Sequence, residues 1–463
     1  MQAAVAAGHP ATVAAGIEAL EEGGSAADAA VAACLASCVA ETVMTGLLGG
    51  GHAIYFDAGS GRARNLDCFV AVPGLGASAQ TVDPVELEVP FGTELVHYTI
   101  GIASCGVPGI PAGLAALHAE HCRLPWPRLV EPALRLAREG VEFPPTHAAC
   151  LAMLAPVMTM NEGARIYAPG GDLLPAGARL EQPGLVRALE LLAAEGPRSV
   201  YEGTIGEALL ELMRERGGLV TEADLAAYGA VWAEPVEVPY AGTRVATRGG
   251  LSRVPETLVR LSRLRGVSAG ERAVALARVL DEPPGAGGHT TNVSVVDRDG
   301  SACAMTTSLG LGSGDFVPGL DLHLNSMLGE TDLLAEPLAP GERMDSMMAP
   351  SVALDDAGVV LVAGAAGGTR LRSALLQVVA GILDEGLAPP DAVVRPRLHP
   401  VAGLVHLEPG FEPEVGAALE EAGFQLRAWP APHHYFGGVS VVGRTGSAGD
   451  PRRSGSAAVP EPR

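Results

Sequence analysis

Residues 287–291 read Gly-Gly-His-Thr-Thr, a small, flexible, polar approach that leads directly into a strand of the buried type, Asn292-Val293-Ser294-Val295-Val296-Asp297. A chain built this way presents the Thr290 hydroxyl at a strand edge. The strand turns at Arg298-Asp299-Gly300 and returns over residues 301–308, which makes it one arm of a hairpin. Two more strand pairs are expected, residues 351–354 with 359–363 and residues 405–407 with 440–442, and helices over 371–385 and 414–422 lie between them.

Upstream, residues 10–40 read as two Ala-rich core helices broken at Gly23-Gly24, with Ser25 as N-cap of the second. The glycine run 46–51 feeds a strand at 52–57 that ends in the turn 58–61. No Gly-Lys-Ser/Thr follows that run, so it is a structural turn and not a phosphate loop. Spacing predicts helices over 129–139 and 205–216. From 242 to 288 the pattern loosens into a Gly-, Pro- and Arg-rich connector with one helix at 269–280, and the tail after Gly449 is expected to fray. Strands interleaved with helices, under a more helical N-terminal half, predict a layered mixed α/β architecture.

Composition bounds the function. With 463 residues, 48% hydrophobic and 18% charged, the chain can bury a large core. The formal net charge of -22 repels phosphate backbones, so neither nucleic acid nor an anionic membrane is expected as a partner. Seven cysteines without a CxxC pair argue against a disulfide framework or a zinc site, and His433-His434 lacks a third ligand at metal spacing. Nucleotide fingerprints and Asp-rich metal loops are absent, so no cofactor and no metal are implied. The N-terminus has neither a basic n-region nor an uninterrupted apolar stretch, which predicts a cytoplasmic protein.

A threonine in the position of Thr290 can attack the carbonyl carbon of its own preceding peptide, forming an ester that water opens. The new chain end then carries an α-amine beside the same hydroxyl, with a reference pKa of about 7.7 to 8.0, able to serve as general base at neutral pH. Nucleophile and base would share one residue. The pentapeptide alone reads more simply as a plain loop entering a β-branched strand.

Separated segments in a fixed order take the reading further: residues 22–30, 48–51, 107–109, 133–140, 217–225, Thr290-Thr291 with 294–297, 346–350, 367–370 and 450–452. In these the chain resembles the γ-glutamyltranspeptidase family of N-terminal nucleophile hydrolases over nearly its whole length. The resemblance implies a four-layer αββα sandwich of the Ntn-hydrolase fold. It also implies cleavage between His289 and Thr290, a large subunit of residues 1–289 and a small one of 290–463 from one precursor, intertwined as one domain; a dimer of these pairs is compatible with it. Thr290 falls on the nucleophile, Thr306 and Ser308 on hydroxyls of the adjacent strand that orient it, Gly367 and Gly368 on the oxyanion hole, and Ser346 on a substrate-contacting serine.

Departures from the family pattern bear on substrate. Between Asp67 and Pro73, where typical members hold an arginine that clamps the α-carboxylate of glutamate, this chain has Phe69 and no basic residue. Asn325 and Glu330 are expected substrate contacts beside Phe69 and Ser346, and between them Gly329 stands where the family keeps an aspartate for the substrate's amino group. Met347 replaces a second serine, and the segment between Tyr240 and the nucleophile is altered, so the resemblance does not carry over the wall of the substrate cleft that this region builds in the family. Phe69 reads either as pocket wall for a less polar small acyl substrate or as core. Three functions follow from the sequence: an autoprocessing threonine hydrolase or acyltransferase with a substrate other than a simple γ-glutamyl peptide, a carbon–carbon bond hydrolase of a proline-derivative antibiotic pathway, or an unprocessed homologue that only binds.

Overall fold

A computed structural model describes residues 1–76, 85–91, 94–281, 289–330, 333–334 and 337–462. The glycines at 287 and 288 lie outside the described residues. The fold is organised by the hairpin of His289–Val296 and Ala302–Gly310, which occupies the middle of a seven-stranded antiparallel sheet. Ala4–Ala7 and Ser456–Ala458 extend that sheet on one side, and Gly50–Asp57, Arg62–Cys68 and Val231–Ala233 on the other.

Side-chain alternation explains the layers. Val293 and Val295 point to one face and pack with the N-terminal helices, whereas Val296, Ala302 and Ala304 point to the other and meet Val352, Val362 and Val442 of a second sheet. That sheet has six antiparallel strands, in the order Gly446–Gly449, Gly438–Gly443, Gly358–Ala366, Ser351–Asp355, Thr243–Thr247 and Val236–Tyr240. Its outer face is covered by helices that include Ala269–Leu280 and Arg370–Leu383. Helix, sheet, sheet, helix is the expected αββα stack.

The helix Ala26–Ala40 is buried along its whole length, so every residue is small or apolar save Asp28. Asp28 closes a capping box, accepting from the Ser25 amide at 2.7 Å while its own amide donates to Ser25 Oγ at 3.2 Å. The preceding helix, Pro10–Glu21, is not a core helix throughout, since Ala14 and Glu21 face solvent.

Three further expectations change. The strand Leu404–Leu407 does not pair with 440–442. It pairs with Leu398–Val401 across the two-residue turn Ala402-Gly403, both at positive φ, and with Gln425–Ala428 in a separate three-stranded sheet. The region after 242 is more than a connector, because Thr243–Thr247 is an interior strand of the second sheet and Val254–Arg260 is a helix. The tail does not fray: Asp450 is buried and accepts from Arg397 Nη2 at 2.5 Å, Arg452 donates to Glu408 at 2.6 Å, and residues 456–458 form an edge strand. Burial of these paired charges ties the C-terminus to the core, and composition does not reveal it.

Candidate active site

Thr290 is the second residue of its strand and is 4% exposed. The pairing is irregular there: His289 lies opposite Gly310 but Thr291 opposite Thr307, so Thr290 alone faces both Ser308 and Leu309. A bulge of this kind breaks the ladder and re-aims the side chain beside it. Thr290 lines a cleft together with Ser308, Phe69, Glu330, Ser346 and Gly368, and Met327, Leu333, Met347, Met348 and Leu371 complete its lining. Six residues singled out in the sequence thus share one cleft.

Ser308 Oγ donates to the carbonyl oxygen of His289 and accepts from the amide of Gly310 at 2.8 Å. The Gly310 bond fixes the hydroxyl, and the hydroxyl polarises the carbonyl of the peptide that precedes Thr290. Ser308→Ala should therefore slow self-cleavage by about 10²-fold, as loss of one fixed donor does. A denaturing gel of freshly made protein over time checks this, and full-speed cleavage would remove Ser308 from that role.

Thr306 is placed further along, opposite Asn292, and does not line the cleft. Its hydroxyl is hydrogen-bonded to the Asn292 side chain at 2.7 Å, which bonds Ser294 at 2.9 Å, and Ser294 Oγ donates to the Ser440 carbonyl of the second sheet at 2.9 Å. This chain of polar groups stitches the two sheets together directly below the nucleophile's strand end. Asn325 also stands apart from the cleft: its amide donates to the carbonyls of Leu48 and Gly106 and accepts from the Gly106 amide, all at 2.8 to 2.9 Å.

Gly367 and Gly368 join the strand Gly358–Ala366 to the helix Arg370–Leu383, at φ +140° and +56°. Their carbonyls accept from the amides of Arg370 at 3.1 Å and Leu371 at 3.0 Å, so they form the helix's first turn. Backbone N–H groups in such a turn carry the positive end of the helix. A side chain at 367 would meet the Cα of Gly437 at 3.0 Å.

Phe69 is 1% exposed and stacks on His52, ring centroids 5.5 Å apart. Burial holds the His52 imidazole well below its ordinary pKa, and the charges of Arg248 and Arg343 add to this, so the ring is neutral. Arg343 brings a cation to the stretch that has none in sequence, but its guanidinium is occupied, donating to the carbonyls of Phe69 at 2.5 Å and Gly229 at 2.6 Å. Arg248 is tied to Asp345 and the Ser346 carbonyl. Ser346 Oγ accepts from the Met348 amide at 3.1 Å, which orients it at the cleft wall.

Sequence reasoning passed over Met327, Leu333 and Met348, which ordinary core spacing conceals, and Glu41, whose signal was available: it is the charged residue that ends a helix otherwise small or apolar after Asp28. Among the described residues no group of three His, Cys, Asp or Glu side chains is arranged to hold a metal, and no helix is long and apolar enough to cross a membrane.

The sequence model described as Gamma-glutamyltranspeptidase matches residues 12–282 and 271–460. The chain is 28% identical over 497 residues to the Acylase ACY 1 proenzyme of Pseudomonas sp. (strain SE83), covering 94% of this chain and 88% of that protein. It is 27% identical over 488 residues to the Glutathione hydrolase proenzyme of Escherichia coli (strain K12), covering 88% and 83%. In fold it is similar to the crystal structure of cephalosporin acylase from Bacillus halodurans, with a TM-score of 0.84, 23% identity, and coverage of 100% of this chain and 96% of that one.

Proposed function

Since the chain belongs to the gamma-glutamyltranspeptidase family and is a hydrolase of the Ntn type, we propose that it is a precursor that cuts itself before Thr290 and then acts through that residue on an amide with a largely apolar acyl group. In the first step Thr290 Oγ attacks the His289 carbonyl carbon, the C–N bond breaks, and the nitrogen takes the proton. Water opens the resulting ester, leaving a carboxylate on His289 and a free α-amine on Thr290. Residues 1–289 and 290–463 become the two subunits.

In turnover the same hydroxyl attacks the substrate carbonyl while the α-amine takes its proton. Gly368 lines the cleft beside Thr290, and the backbone N–H groups of the Gly367-Gly368 turn are assigned to the developing oxyanion. Departure of the amine leaves an ester on Thr290 Oγ, which water or a second amine then resolves, releasing a free acid or a new amide.

The observation that carries this reading is the composition of the cleft on which Thr290 and Gly368 both open. Phe69, Met327, Leu333, Met347, Met348 and Leu371 make most of it apolar, with Ser346 and Glu330 as its polar points. Each buried CH₂ of an acyl chain gains about 0.8 kcal/mol against such a wall. An α-carboxylate meets no unoccupied guanidinium from Arg248 or Arg343, and burying it uncompensated costs several kcal/mol.

The test is a series of p-nitroanilides with γ-glutamyl and straight-chain acyl groups, assayed on the processed protein. The apolar members should give kcat/KM at least about tenfold above the γ-glutamyl compound, equivalent to about 1.4 kcal/mol. A γ-glutamyl compound that is turned over best would overturn the substrate assignment, and Phe69→Arg should move the preference toward it.

A further inference from the structure

Thr290 also lines a second, narrow cavity, which the proposed reaction leaves unused. Its wall includes Thr291, Glu41, His147 and Arg453. Glu41 enters it from the C-terminal end of the buried helix Ala26–Ala40 and is 1% exposed. One carboxylate oxygen accepts from Thr291 Oγ1 at 2.5 Å and the other from Thr12 Oγ1 at 2.6 Å. A side chain on Gly8 would sit 2.2 Å from the oxygen held by Thr291, so the carboxylate lies close against the Gly8 backbone.

This is an unfavourable place for a negative charge. It is out of water, and it sits at the helix end where the peptide dipoles are themselves negative. The groups facing it compensate little. Cys34 on its own helix is a thiol with no charge to offer, pushed up by its hydrogen bond with Cys38 and by burial. His147, and His9 against it, are held neutral by burial, at about 3 and about 4. Arg453 is the full positive charge in the chamber, and its guanidinium contacts Met44 Sδ at 3.3 Å and the His434 carbonyl at 3.4 Å, not Glu41. Burial accordingly pushes the Glu41 carboxyl up to about 7, with Thr12, Thr291 and Arg453 pulling the other way.

Cleavage would change the charge beside it. The residue that Glu41 grips is the immediate neighbour of Thr290, whose nitrogen turns from a neutral amide into a basic amine. We propose that Glu41 is the counter-charge for the Thr290 α-amine, a positioning residue that stabilises the ammonium formed each time Thr290 Oγ gives up its proton. The inference rests on the reading of Thr290 as nucleophile. Carboxyl and amine then titrate as a coupled pair that shares protons across the chamber.

The sign of the effect is fixed. An ionised carboxylate nearby raises the pKa of an amine, so its removal lowers that pKa and moves the acid limb of kcat/KM to lower pH. Glu41→Gln keeps a group that can bond both hydroxyls but has no charge. The experiment labels the Thr290 α-amine of the processed protein with acetic anhydride across about pH 5 to 9 and reads the extent by mass spectrometry, alongside the pH profile of kcat/KM. The titration midpoint should fall by about one pH unit and the acid limb with it. Unmoved midpoint and limb, with only a lowered Tm, would overturn the proposal.

If Glu41→Gln does not accumulate as processed protein, Thr12→Val decides. It removes one bond that favours the ionised carboxylate and should move the midpoint in the same direction by a smaller amount, and a fixed midpoint there also overturns the proposal. A Thr290→Ala protein that retains turnover would instead defeat the reading on which this inference rests, so the two failures are distinguishable.

Discussion

Thr290→Ala should leave the protein as a single 463-residue chain indefinitely and remove turnover by about 10⁴-fold or more, the scale seen when a covalent nucleophile is deleted. Both losses follow from one atom. Without Oγ nothing attacks the His289 carbonyl, although Ser308 still polarises it, and without cleavage the nitrogen of residue 290 stays an amide that cannot accept a proton. The fold itself should tolerate the change, because the side chain lies at an irregular point of the pairing and lines cavities, where few contacts depend on it. An unchanged Tm beside a single band on a denaturing gel is the expected pattern. Thr290→Ser should restore both cleavage and turnover at reduced rates. A fragment beginning at residue 290 in the alanine protein, or turnover by its uncleaved chain, would remove Thr290 from the centre of the reaction.

The parts of this arrangement that were legible in the sequence are those held by local chemistry. Alternation over 292–297 and 301–308 around an Asp-Gly turn gives the hairpin, and Ser25 with Asp28 marks the start of the buried helix. The Ntn-type sandwich itself was reached through family resemblance, and the two packed sheets bear it out. What stayed hidden depends on residues distant in sequence. Arg343 reaches the carbonyl of Phe69 from 274 positions away, so the stretch without a basic residue is not without a cation in space. The C-terminal tail looks like a fraying end because its arginines and Gly, Ser and Pro are common in loops, yet Asp450 and Arg452 are anchored by Arg397 and Glu408. The strand 404–407 was assigned the wrong partner because apolar pattern specifies a face and not a neighbour. Asn325 and Thr306 were chosen by alignment to a pattern, and in space their polar groups serve backbone and sheet-to-sheet bonds.

Gly367→Ala carries the other large expectation, and it separates the two reactions that Thr290 performs. At φ +140° residue 367 occupies backbone territory essentially reserved for glycine, and forcing alanine there costs about 1 to 3 kcal/mol of strain. The added methyl also meets the Gly437 Cα at 3.0 Å, a backbone atom held by a glycine that itself sits at φ +73° and cannot readily yield. The turn must therefore shift, and with it the N–H groups at the cleft. Losing one aligned donor to an oxyanion costs about 10² to 10³ in kcat. Self-cleavage should suffer less, because the carbonyl attacked in that step is already held by Ser308 Oγ, a donor on the opposite sheet. The expected result is a protein that still yields two subunits but turns over an added acyl anilide about 10² to 10³ times more slowly, with KM little changed because the apolar wall of Phe69, Met327 and Met348 is intact. Turnover within about threefold of the parent, with only a lowered Tm, would mean that the turn at 367 shapes the fold and leaves oxyanion stabilisation to other groups.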